Sequence, residues 1–333
     1  MKQDKLEIAR GFKNCCTRIT GGLRKFGQFR EAPSLVALLG IILISSLISP
    51  YFFTGTNIKN IFTQVSIIAI LAMGESYVIL TGGIDLSLGS VLALVSVLIA
   101  GCMKWMNLPV YLAVTAGLGV GTLCGLTSGL LVTKVKIPSF IATLAMMAIA
   151  RGLALIYAKG VPISMFPPEF RIIARYLGPI SVLTLIMIGM YVIGQLILSW
   201  TRTGQYIHAT GGHEEATRYL GVNVDRVKLF AFAFSGFCAA VGGIMLTARM
   251  DSAYPNVGQG YELDAIGSAV LGGISFTGGV GSVGGAFMGA LVITILGNLL
   301  NLLRVSGFYQ YVFKGIILAV AALSLSRGVK YAK

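Results

Sequence analysis

The chain has 333 residues, 56% hydrophobic and only 11% charged, with a formal net charge of +14 and a mean hydropathy of +0.84. This apolar share is higher, and the charge content far lower, than in an ordinary soluble domain. A single water-soluble core is therefore excluded in favour of an all-α integral membrane protein, and the scattered basic residues form no stripe on a polar surface that would serve nucleic acid.

Residues 1–32 form a basic tail carrying Lys2, Lys5, Arg10, Lys13, Arg18, Arg24, Lys25 and Arg30. It is too long for the n-region of a cleaved signal, and no A-x-A-like site follows the first apolar run, so the first span is read as uncleaved. Hydropathy then predicts a transmembrane domain over 33–327, with spans near 34–52, 59–80, 87–103, 109–134, 138–158, 180–200, 224–250, 262–274, 282–303 and 308–327, and a short tail at 328–333. Most of these runs approach or exceed the roughly 20 residues that cross a hydrocarbon layer as a helix. With about ten spans and the N-terminus inside, the inside segments hold the basic tail, Lys134, Lys136, Arg202, Arg218, Arg226, Lys228, Arg327, Lys330 and Lys333. The outside segments hold Lys59, Lys104, Lys159, Arg171, Arg175, Arg249 and Arg304. The excess of Lys and Arg places both termini in the cytoplasm.

Within this pattern Glu75 lies in the second span beside Gly74. An acidic group at membrane depth is costly and points to a role: capping a half-helix at a break, or lining a translocation path. The next stretch, LTGGIDLSLGS from Leu80 to Ser90, and GYELDAIGSAVLGGISFTGGVGSVGG from Gly260 to Gly285, carry too many glycines and carboxylates for lipid-facing helices. They predict broken or re-entrant segments buried in protein. Both hold a Gly-Ser pair after an acidic residue, in the third and eighth spans, as two five-helix halves of inverted topology would arrange them. Asp85, Glu262 and Asp264 fall where a helix N-terminus is capped, and Asp85 with Ser87 is a second candidate for the path. Gly117, Gly121, Gly125 and Gly129 recur every fourth residue, a face for close helix packing or a substrate groove.

Further along, the segment from Lys159 to Pro179 is polar, with Glu169, Arg171 and Arg175; it is a connecting loop or, with 251–261, a docking surface. Asn298 and Asn301 share a helix face, suited to interhelical hydrogen bonds or to a polar pathway. Cys15, Cys16, Cys102, Cys124 and Cys238 lack metal-type spacing. His208 and His213 have no metal-ligand partner at a recognised spacing. G-x-S-x-G does not occur with a plausible base, and no phosphate loop is present because Gly-Lys never occurs.

The long break in the apolar pattern is 201–223, on the inside. From Gly212 to Gly221 it carries helix signals: Glu214 and Glu215 in the first turn, Arg218 near the end, and Gly221 at a left-handed cap. Ala216, Tyr219 and Leu220 form a small apolar face on a charged helix, fit to lie on the membrane surface, to fold back on the chain's own spans or to dock in a partner. Glu215-Ala216-Thr217, three residues, then Gly221 resembles the EAA-x3-G coupling motif of ABC importer permeases, with Thr217 in place of the third-position Ala. The I-x-L-P that follows that motif in many importers is absent. With LTGGIDLSLGS, GGHEEATRYLGVNVDRVK and YELDAIGSAVLGG, the chain is similar to the ribose-type monosaccharide permease family over nearly all its length beyond the basic tail.

That resemblance implies a permease subunit of the bacterial inner membrane, two copies forming the pore. A separate ATPase would supply the ATP and Mg chemistry and receive Gly211, Gly212, Glu214, Glu215, Ala216, Arg218, Tyr219, Leu220 and Gly221. An extracytoplasmic sugar-binding protein would dock on the opposite side, where Glu169, Arg171 and Arg175 lie. The chain itself carries no catalytic residues and no cofactor. The rival reading, an ion- or proton-coupled secondary carrier, requires a titratable group at the bilayer midplane, and Glu75 is the candidate.

Overall fold

The computed structural model describes residues 32–328. Its helices are α1 (Ala32–Ile48), α2 (Gly55–Leu80), α3 (Leu88–Lys104), α4 (Val110–Thr133), α5 (Ser139–Ala158), α6 (Pro168–Arg171), α7 (Val182–Trp200), α8 (Arg202–Gly212), α9 (Glu214–Tyr219), α10 (Val224–Met250), α11 (Tyr261–Leu271), α12 (Val283–Leu302) and α13 (Gly307–Gly328). Two-residue strands β1 (Ile163–Ser164) and β4 (Ser252–Ala253) pair antiparallel, as do β2 (Tyr176–Leu177) and β3 (Ile180–Ser181). Among the described residues six helices, α2, α4, α5, α7, α10 and α12, are long and apolar enough to cross a membrane. The chain is thus an all-α, multi-pass membrane protein.

Local sequence explains where these helices start. Thr54, Ser181, Thr201, Asn223 and Ser282 each precede a helix and accept a backbone N–H from its first turn, satisfying donors that the helix cannot pair internally. The core forms around α2, in which every residue from Val65 to Leu80 is buried. Tyr77 Oη donates to Gly194 O at 2.6 Å and Tyr191 Oη to Ala69 O at 2.8 Å, fastening α2 to α7. α10 packs on α4, α2 and α3, and Thr247 Oγ1 donates to Ser96 Oγ of α3 at 2.6 Å.

The four-residue glycine repeat of α4 is a packing face. A Cβ at Gly121 would lie 2.6 Å from Ala240 Cβ, and one at Gly125 only 2.2 Å from Phe232 O, so α4 and α10 meet backbone to backbone. Gly74 has the same cause: a Cβ there would lie 2.8 Å from Cys238 Cβ. The expected helix break at Gly74 is absent, and α2 runs through it to Leu80.

The predicted span 262–274 folds instead as α11, whose 11 residues rise only about 16 Å. It is held inside protein by α12, where Gly272 O would lie 2.1 Å from a Cβ at Gly285 and Ser268 O 1.9 Å from one at Gly289. Cys102, Cys124 and Cys238 are free thiols; Cys15, Cys16 and most of the basic tail lie outside the described residues.

The connecting segments gather at two ends. At one end Gly279 N donates to Leu80 O, His208 meets Gly279, and Lys136 meets Asp225. At the other, β1 pairs with β4, Lys104 Nζ reaches Met165 O, and Arg151 Nη1 donates to Pro255 O and Val257 O.

Candidate functional site

The polar stretch after α7 folds as two short helices rather than the single one expected. α8 ends at Gly212, and His213, in extended conformation, caps α9 by accepting the Ala216 N–H on Nδ1 at 3.2 Å. Gly211, in the last turn of α8, is pressed against two other segments, since a Cβ there would lie 1.9 Å from Leu80 O and 2.4 Å from Gly279 N; contrary to expectation it faces inward and not toward a docking partner. Gly221 closes α9 with φ of +82°, the left-handed cap that the sequence predicts.

A charge network fixes α9 in place. Glu214 accepts from Arg218 at 3.2 Å and from Lys228 of α10 at 2.6 Å. Arg218 also reaches Asp225 at 3.3 Å, and Lys134 and Lys136, beyond α4, each approach Asp225 at 3.5 Å. Partial burial acts to raise the Glu214 carboxyl, but the hydrogen bonds and charges of Lys228 and Arg218 together outweigh it and hold the group below its ordinary value. Such exposed pairs add little stability one by one; as a network they set the orientation of α9. The outer face is left free, with Tyr219 89% and Leu220 83% exposed beside exposed Glu215 and Ala216. Gly212 is exposed as well, with open space where a Cβ would go.

Of the path candidates, Glu75, Asp85 and Ser87 come together. Glu75 Oε1 accepts the Asp85 N–H at 3.1 Å. Asp85 accepts from Ser87 N, from Ser87 Oγ at 2.6 Å, and from Ser235 Oγ of α10 at 2.7 Å. All three residues are buried and pin the 81–87 turn that launches α3. Asp85 therefore shapes the turn ahead of the helix, and Ser87 gives no side-chain cap to it. Asn298 lies elsewhere, buried and joined to Asn57 of α2 by reciprocal amide hydrogen bonds of 3.0 and 2.8 Å. Asn301 is exposed and accepts from Gln310 Nε2 at 2.8 Å. Asp264 forms an ion pair with Lys314 at 2.6 Å, and Glu262 accepts the Gly260 N–H at 3.1 Å.

At the opposite end Glu169, Arg171 and Arg175 are exposed around α6, with Arg171 Nε 3.2 Å from Asp251. Lys134, Lys136, Asp225 and Lys228 are not marked by the sequence as members of the α9 network. Nor does the sequence mark His208, whose Nδ1 lies 3.0 Å from Gly279 O. Their separations in sequence carry no periodic signal; the acidic and basic residues flanking 214–221 were the available clue.

Residues 57–322 match the family model described as branched-chain amino acid transport system / permease component. The chain is 44% identical over 306 residues to the ribose import permease protein RbsC of Haemophilus influenzae, covering 90% of this chain and 94% of that protein. It is 41% identical over 314 residues to the ribose import permease protein RbsC of Escherichia coli K12, covering 92% and 98%. Against the D-allose transport system permease protein AlsC of Escherichia coli K12 the identity is 35% over 306 residues, covering 91% of each. A match of this extent, on a multi-pass helical fold, shows that the chain belongs to the branched-chain amino acid transport system / permease component family.

Proposed function

We propose that this chain is the permease subunit of an ATP-driven, binding-protein-dependent importer of a small sugar in the bacterial inner membrane. The observation that carries the reading is α9: a six-residue helix, oriented by a charge network, that presents Tyr219 and Leu220 to solvent at a polar end of the molecule. An exposed apolar pair on a fixed helix suits a partner's cleft, and a rigid element in a cleft transmits domain closure to the spans beside it. The partner is a cytoplasmic ATPase, which holds the ATP and Mg and receives the exposed side of this stretch, Gly212, Glu215, Ala216, Arg218, Tyr219, Leu220 and Gly221, while Gly211 is packed inward. Relatives whose names specify ribose and D-allose support a monosaccharide as the cargo.

The finer architecture belongs to the same proposal: ten crossings in two inverted halves, both termini cytoplasmic, and two copies forming the pore. The sorting of connecting segments to two ends supports ten crossings, since α11 and the glycine segment after it together join one end to the other. Ser34 Oγ donating to Leu271 O at 2.9 Å places the start of α1 beside that junction. Alternating access follows, with α9 displaced as the ATPase closes. Glu75, Asp85 and Ser87 serve the path by holding the 81–87 turn, with Asn298 fixing α12 to α2 and Asn301 near the far end of α12. Glu169, Arg171 and Arg175 meet a sugar-binding protein on the outer side.

The test is sugar uptake in liposomes holding this chain, with and without its ATPase and binding protein. Uptake that needs both, and stops when the ATPase's catalytic base is removed, is the expected result. Uptake by this chain alone on a proton or sodium gradient would overturn the reading in favour of a secondary carrier working through Glu75.

A further inference from the structure

Three segments far apart in sequence meet at the polar end near α8. Gly279 is held twice: its N–H donates to Leu80 O at 3.0 Å, and its carbonyl accepts from His208 Nδ1 at 3.0 Å. Leu80 closes α2, so its carbonyl has no intrahelical partner, and the glycine segment supplies one. At Gly211, Gly278 and Gly279 no side chain would fit. A Cβ on Gly278, at φ +83°, would lie 2.9 Å from both Gly211 Cα and Gly82 N; one on Gly279, at φ +72°, would lie 2.6 Å from Gly212 N. Backbone pressed on backbone in this way does not compress. The 272–282 segment in turn joins α11 to α12, and its start is packed on α12 through Gly272 and Gly285.

We propose that His208 is a positioning residue for energy coupling. It clasps α8 to the 272–282 glycine segment, so that movement of α8 and α9 reaches α11 and α12 directly as well as through the flanking helices α7 and α10. This rests on the importer reading and names the route by which it works. Leu80 and Gly82 bring the end of α2 and the 81–87 turn into the same joint. The imidazole fixes the sliding contact: glycine surfaces alone resist compression but not separation, and the Nδ1–H to Gly279 O bond opposes separation.

The test compares His208→Ala and His208→Asn, whose side-chain amide can donate near the Nδ1 position, in liposomes with the ATPase and binding protein. His208→Ala is expected to assemble and hydrolyse ATP normally while sugar taken up per ATP falls about fivefold, the factor one net hydrogen bond carries; His208→Asn restores most of it. Spin labels at Gln205, exposed on α8 outside the docking stretch, and Thr277 on a cysteine-free background provide the second readout. Their distance is expected to stay constant between ATP-free and ATP-bound states with His208 present, and to broaden in His208→Ala. Unchanged uptake per ATP in His208→Ala, or a distance that changes between states with His208 in place, would overturn the clasp. Should the unsubstituted chain fail to import sugar on ATP, the importer reading falls, and broadening of the distance on His208→Ala in the chain alone still decides the clasp.

Discussion

Adding one methyl group to the glycine face of α4 tests how the membrane domain is held together. A Cβ at Gly125 would sit 2.2 Å from Phe232 O and 3.1 Å from Gly236 Cα, whereas at Gly119, on the same helix, nothing lies within 4 Å. A carbon-to-oxygen contact needs about 3.3 Å, so Gly125→Ala must part α4 and α10 by about 1 Å. Ala is favoured over Gly in a helix by ~1 kcal/mol, and that gain is common to both variants. The difference between Gly125→Ala and Gly119→Ala therefore isolates overpacking, about 1–3 kcal/mol. Thermal unfolding in detergent, followed by the fluorescence of Trp105 and Trp200, is expected to rank Gly119→Ala at or above the unsubstituted chain and Gly125→Ala several degrees below it. Equal melting of the two variants would refute the backbone contact between α4 and α10.

Four further outcomes are expected. Asn57→Ala and Asn298→Ala, singly and together, should show a coupling of ~1 kcal/mol in a double-mutant cycle, in the range measured between membrane helices; additive losses would remove the bond from the account of α2 and α12. Glu215→Ala with Gly221→Asp should leave the protein inserted but uncouple uptake from ATP hydrolysis, and normal uptake would end the docking assignment of α9. The folded-state value of Glu214 is depressed, so its contribution is present above the ordinary carboxylate value and lost as pH falls through the lower one. Amide exchange over 214–220, corrected for intrinsic rates, should therefore hold steady from neutral pH to pH ~5 and accelerate only below the usual carboxylate range; earlier acceleration would contradict the Lys228 and Arg218 pairing. Charge reversal at Arg171 and Arg175 should weaken stimulation of the ATPase by the binding protein, and unchanged stimulation would count against docking there.

What the sequence reveals follows from which physical demand each segment answers. Lipid imposes a length and a composition, so α2, α4, α5, α7, α10 and α12 are legible as apolar runs. α11 answers to protein instead: with Gly272, Gly285 and Gly289 admitting it against α12, it has no need to be 20 residues long, and hydropathy over-extends it to 274. Gly74 is the same lesson in reverse, a residue that suggested a break and that serves the approach of Cys238.

The polar stretch 201–223 is legible because charge is scarce elsewhere, and its acidic first turn at Glu214 and Glu215 and its cap at Gly221 are local chemistry. Its division at His213 is less legible: the groups packed against the last turn of α8 are the carbonyl of Leu80 and the amide of Gly279, which almost every residue possesses. A joint made from backbone carries no side-chain signature, and sequence can register it only as glycines at positions without a period. His208 is the exception that shows the rule: it is a side chain, but its partner is a carbonyl 71 residues away. If the clasp couples as proposed, the residues that carry force in this fold are the ones least visible to motif reading. The visible motif, Glu215 to Gly221, then marks where force enters rather than where it goes.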